Sequence, residues 1–183
     1  MTDTARPLDR TLAAADVAPA GTHVVFAATE AERTALAAAA EVPSVESLSA
    51  EVVVRPWSGE GFAVTGRVRA KLTQTCVVSL EPIATEVDEE IDVKLVPPEE
   101  MAKYEIEPDE NGEIDLDASM LDLPEPMEGG VIDVGAIVAE HFILAIDPYP
   151  RKPGAVFDAE AAGVGDGREA LSPFAALAKL KKE

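Results

Sequence analysis

The chain has 183 residues, with 35 Asp and Glu against 15 Lys and Arg, and a formal net charge of -20. Its 47% apolar content excludes a disordered acidic polymer. The acid excess excludes a general nucleic-acid coat, and Cys76 as the single cysteine excludes a disulfide scaffold or zinc ribbon. The length predicts one compact domain with tails. No run approaches the roughly 18–20 consecutive apolar residues of a membrane span. Met1-Thr2-Asp3-Thr4 does not open a secretory leader, and the lone cysteine fits a reducing compartment. These features predict a cytoplasmic protein with no membrane partner.

Residues 1–21, rich in Ala and Asp with Pro7 and Pro19, read as an extended or partly ordered lead-in. His23 to Ala28 reads as a short strand. Thr29-x-x-Glu32 is a capping box, in which each residue's side chain satisfies the other's free backbone N–H, and it opens an Ala-rich helix running to about Ala40. Pro43 follows that helix. Leu48, Val52 and Val54 alternate with Ser49, Val53 and Arg55 in a strand closed by Pro56.

The next two strands carry the clearest pattern. Phe62, Val64, Val68, Ala70 and Leu72 share one face, and Thr65, Arg67, Arg69, Lys71 and Thr73 share the other. Val87, Ile91, Val93 and Leu95 repeat the apolar face, backed by Glu86, Asp88, Glu90, Asp92 and Lys94. Antiparallel pairing would set Arg67, Arg69 and Lys71 against the acidic row. These bases are then either internal counter-ions or an RNA-binding stripe, and the surplus and nearness of the acids favour counter-ions.

Residues 97–130 form an acidic excursion. Sparse apolar residues give it little area to bury against its ordering entropy, although a strand piece is expected near Ile114-Asp115-Leu116. Asp109 to Glu113 lacks the alternating ligands and distal Glu of a calcium-binding loop, so the segment reads as solvated acid. Residues 81–128 hold 18 acids and two lysines, a net of -16, which leaves the rest of the chain near balance at -4.

Val131 to Val134 reads as a brief strand leading into a buried helix, Gly135 to Ile146, that Asp147-Pro148 ends. Pro150 to Gly154 is a turn carrying Arg151 and Lys152. Residues 158–171 read as a flexible linker. Ser172 as N-cap and Pro173 open a short C-terminal helix with Phe174, Leu177 and Leu180 on one side. The fold class is therefore α+β: a mainly antiparallel curved sheet with two helices over residues 22–157, then the linker and a helix at 172–183.

The sequence contains no Ser/His/Asp arrangement, phosphate loop or nucleotide fingerprint. His141 reads as a helix-face histidine. Cys76 reads as a buried structural thiol, with no Lys or His near it in sequence to activate it. No catalytic, cofactor-binding or metal residue is assigned. The candidate partner or RNA contacts are Arg67, Arg69, Lys71, Arg151, Lys152, Phe174, Leu177 and Leu180. The last three suit docking on the protein's own core or on a partner equally.

Three segments go further: Gln74-Thr-Cys76-Val-Val-Ser-Leu-Glu81-Pro82-Ile, the stretch from Gly130 to Arg151, and Ser172 to Lys181. The second includes Asp133, Glu140, Asp147, Pro148, Tyr149 and Pro150. In order and spacing they resemble the YceD family of large-ribosomal-RNA accumulation proteins, especially its alphaproteobacterial branch. The resemblance implies a cytoplasmic, non-catalytic factor in synthesis, processing or accumulation of large-subunit ribosomal RNA. The net charge of -20 would repel RNA phosphates and attract basic ribosomal or assembly proteins, which are the expected partners, with local ribosomal-RNA contact through the basic residues as the alternative. Many members pair Cys-x-x-Cys with later cysteines in a pattern suggesting zinc. This chain has Cys76-x-x-Ser79 and no cysteine from Tyr149 to Gly154, so no cofactor is expected. A metal-assisted hydrolase on the acidic segment is a minor third reading, because abundant acids are weak grounds for a general acid and base.

Overall fold

The computed structural model describes residues 6–104 and 123–157. Strand β1 spans Thr11–Ala13, β2 Thr22–Ala27, β3 Ser44–Pro56, β4 Phe62–Thr75, β5 Pro82–Val96, β6 Glu125–Pro126 and β7 Val131–Asp133; helix α1 spans Glu30–Ala39 and α2 Val134–Leu144. The main sheet has five strands in the order β2-β3-β4-β5-β6, antiparallel except for the β5–β6 pair. A separate pair joins β1 to β7. The architecture is the α+β arrangement expected from the sequence.

The alternating residues set the inner face. Leu48, Ala50, Val52 and Val54 of β3 are buried, with Val64, Val68, Ala70 and Leu72 of β4 and Val87, Ile91, Val93 and Leu95 of β5. A register shift between Val45 and Ser47 lets Val45 face inward despite its opposite parity. Gly66 sits mid-strand on this face, opposite Val52 and Ile91. A Cβ there would run into the Glu51 carbonyl oxygen and lie 2.6 Å from the Val52 Cα, so glycine lets β3 and β4 approach.

The two helices cover this face. Helix α1 packs on β3 through Leu36 and Ala37, and α2 packs on β4 and β5. The capping box is complete: Glu32 N–H donates to the Thr29 hydroxyl at 3.3 Å, and Thr29 N–H donates to the Glu32 carboxylate at 2.8 Å. The Thr29 N–H and then Arg10 hold that carboxyl below its ordinary range, against the opposing effect of burial. Helix α2 is apolar nearly all round and buries Val134, Ile137, Val138 and Phe142. Asp133 caps it by accepting the Ala136 N–H at 2.9 Å.

Two segments depart from the sequence reading. Residues 6–21 do more than lead in. Leu8 is fully buried, β1 pairs with β7, and Arg10 binds Glu32 at 2.7 Å while lying 4.9 Å over the Phe26 ring. Three residues at β1 are too few for an alternation to be visible. The excursion after β5 begins with a 3-10 turn, Pro98–Tyr104, where Tyr104 stacks on Trp57 at 6.2 Å. It returns as β6, which adds parallel to the end of β5. The expected strand piece at 114–116, the linker and the C-terminal helix lie outside the described residues.

Candidate functional site

The first two motif segments, separated by residues 84–129 in sequence, meet in space. Residues Cys76 to Glu81 form the tight connection between β4 and β5, closed by Leu80 N–H to the Cys76 carbonyl and Cys76 N–H to the Glu81 carbonyl, both at 2.9 Å. Leu80 adopts a positive φ of 60° there and is exposed. The chain leaving α2 returns against this turn. Val77 N–H donates to the Pro150 carbonyl at 2.9 Å, and the Gln74 side-chain amide donates to the Asp147 carbonyl at 2.8 Å.

Cys76 is at the centre of the seam. Its sulfur is buried and accepts the Lys152 N–H at 3.3 Å and the Ser79 N–H at 3.4 Å. The Lys152 N–H, then the Ser79 hydroxyl and N–H, pull the thiol from its ordinary 9.0 down to about 6 against the opposing effect of burial. The thiol is buried, as expected from the sequence; the residue that lowers its pKa is remote in sequence, and the fold brings it near. The Lys152 ammonium meanwhile binds Glu81 at 2.9 Å, which lowers the Glu81 carboxyl and raises the lysine.

The remaining motif residues shape this same end of the fold. Pro82 starts β5 opposite Thr75. The Asp147 carboxylate accepts the Tyr149 N–H at 2.8 Å and turns the chain through Pro148. Pro150 is buried while Tyr149 stays exposed. At the other end of α2, Asp133 adds an ion pair with Arg6 at 2.9 Å, and Glu140 is exposed along the helix. His141 bonds the Ile137 carbonyl one turn back, at 2.9 Å.

This donor set does not fit the zinc implied by the resemblance. One thiol and one hydroxyl cannot complete a four-ligand centre, and backbone N–H groups already occupy the sulfur. Among the described residues, no group of three or more His, Cys, Asp or Glu is placed to hold a metal.

The basic stripe lies on the outer face of β4. The register sets Arg67 opposite Glu90, Arg69 opposite Asp88 and Lys71 opposite Glu86. Arg67 reaches Asp88 at 2.9 Å and Glu90 at 3.9 Å, Arg69 reaches Asp88 at 3.4 Å, and Lys71 reaches Glu86 at 3.0 Å. Arg67 holds the Asp88 carboxyl below its ordinary range. Arg151 is exposed and makes no ion pair with a described residue. Phe174, Leu177 and Leu180 lie outside the described residues.

One residue of the seam escaped the sequence reading. Gln74 is 4% exposed, and its carbonyl oxygen Oε1 is buried with no hydrogen-bond partner among the described residues. The signal was available, because Gln74 shares the parity of the buried Val68, Ala70 and Leu72.

The sequence profile of the family described as "Large ribosomal RNA subunit accumulation protein YceD" matches residues 64–181. The match runs from the basic-faced strand through both halves of the seam to the C-terminal segment. No curated protein and no solved structure matches the chain. With most of its length covered by that profile, the chain belongs to the YceD family.

Proposed function

We propose that this YceD-family protein is a non-catalytic ribosome-biogenesis factor that supports large-subunit ribosomal-RNA accumulation in the cytoplasm. In this reading it holds a basic ribosomal or assembly protein on its acidic surface. The family match supports the ribosomal-RNA role. The carrying observation for a protein partner is the outer face of the sheet. There Arg67, Arg69 and Lys71 are already matched by Asp88, Glu90 and Glu86. A phosphate would have to displace those carboxylates and approach residues 81–128, which carry a net -16. A lysine-rich protein meets no such opposition, and RNA can later strip it away.

Capture of the tagged full chain from lysate, with and without ribonuclease, tests this. Ribosomal proteins retained after ribonuclease are the expected result. Loss of every ribosomal component would overturn it.

A second reading, direct local RNA contact, is favoured by Arg151 alone, since it is exposed and makes no ion pair with a described residue. It predicts that Arg151→Ala with Lys152→Ala abolishes ribonuclease-sensitive capture. Unchanged capture would remove it.

A further inference from the structure

A cleft of about 280 Å³ opens beside the seam, lined by Glu41, Val42, Gln74, Val77, Asp147 and Pro150 among others. Gln74 lines it, and the Gln74 Oε1 behind that lining is buried with no hydrogen-bond partner among the described residues. The assignment of that atom is chemical: the Asp147 carbonyl can only accept, so the amide nitrogen must face it and the oxygen must point elsewhere.

Exposed apolar side chains concentrate on the two segments that meet at the seam, and Val77 among them lines the cleft. Of the nine exposed large hydrophobic side chains among the described residues, six are Val77, Leu80, Leu144, Tyr149, Val156 and Phe157. All six lie on the turn after β4 or between the end of α2 and the last described residue, and hydrogen bonds join those two segments. Such a concentration marks a docking surface.

We propose that this cleft is the seat of the chain's own C-terminal segment, Ser172 to Lys182, docked within the same copy. Phe174, Leu177 and Leu180 supply the apolar contacts. Lys179, Lys181 and Lys182 complement Glu41 and Asp147 on the cleft.

Distance permits it. Lys152 is anchored on Cys76, and Phe157 lies five residues further along. The chain thus leaves the described structure within about 18 Å of the turn. From Phe157 to Ser172 it can span up to about 50 Å, enough to reach the cleft from any exit direction. A tether of this length supplies an effective concentration on the order of millimolar, which a free partner segment would have to match. The proposal does not depend on the ribosomal reading.

The test is carbodiimide cross-linking of the full chain, a 1:1 mixture of nitrogen-14 and nitrogen-15 copies, read by peptide mass spectrometry. Same-isotope amide links from Lys179, Lys181 or Lys182 to Glu41 or Asp147 are expected, and Phe174→Ala with Leu177→Ala should abolish them. Mixed-isotope links to those acids would instead make a second copy the occupant. Links only to the β5 acids Glu86, Asp88 or Glu90, or no tail links, would overturn the proposal. As a second readout, the double substitution should shift the Val42, Val77 and Gln74 side-chain resonances. Unmoved resonances would also overturn it.

Discussion

At Cys76, burial favours the neutral thiol and hydrogen-bond donors favour the thiolate, and the donors prevail. The consequence for stability has a definite sign. An acid with a lower pKa in the folded chain than in the unfolded one stabilises the fold above the unfolded value, and that stability is lost as pH falls through the folded value. Here the window runs from the ordinary 9.0 down to about 6. Across it the chain is expected to gain melting temperature as pH rises by an increment that Cys76→Ser lacks. Thermal melts of both proteins at several pH values measure the difference. Parallel curves would mean that the thiol stays neutral. The shift was invisible in sequence because Lys152, the chief donor, is 76 positions away from the sulfur it bonds. Gln74 was legible in principle, since its parity alone placed it inside.

Among the elements, local chemistry was the most readable part. Thr29 and Glu32 announced α1, and the alternations along β4 and β5 fixed both their faces and their mutual charge pairing. Loss of the Thr29 hydroxyl in Thr29→Ala is expected to cost about 1 kcal/mol in chemical denaturation. No change would mean that packing on β3, rather than the cap, holds the helix. Gly66 permits a stronger prediction. In Gly66→Ala the added methyl meets the β3 backbone, which has no side-chain freedom with which to yield. Destabilisation at or above the upper end of the roughly 1–3 kcal/mol typical of overpacking is expected, measured the same way. A neutral result would show that β3 and β4 can separate there without loss. The contacts of residues 6–21 were not legible. The strand β1 is three residues long, and its partner β7 is about 120 positions away, so the pattern becomes meaningful only once the fold is present.

At the scale of the whole molecule, charge is distributed by element. The outer rows of β4 and β5 pair with each other, and the acid excess is concentrated in residues 81–128, leaving the remaining chain close to neutral. Among the described residues, no helix is long and apolar enough to cross a membrane. The family and the α+β fold could be read from motif order and periodicity, whereas the seam between the motifs required the coordinates, because the Cys76 and Gln74 side chains meet main-chain partners there that no residue type identifies.

In the proposed function the basic row on β4 is matched by its own acids and unavailable to phosphate. Fluorescence anisotropy of labelled large-subunit ribosomal-RNA fragments, titrated with the full chain across a range of salt, decides this. No saturable binding is expected at physiological salt, with Arg67→Ala, Arg69→Ala and Lys71→Ala together indistinguishable from the parent. Saturable binding with a log–log salt slope near -2, the value for about three single-strand phosphate contacts, lost in that triple variant, would contradict it.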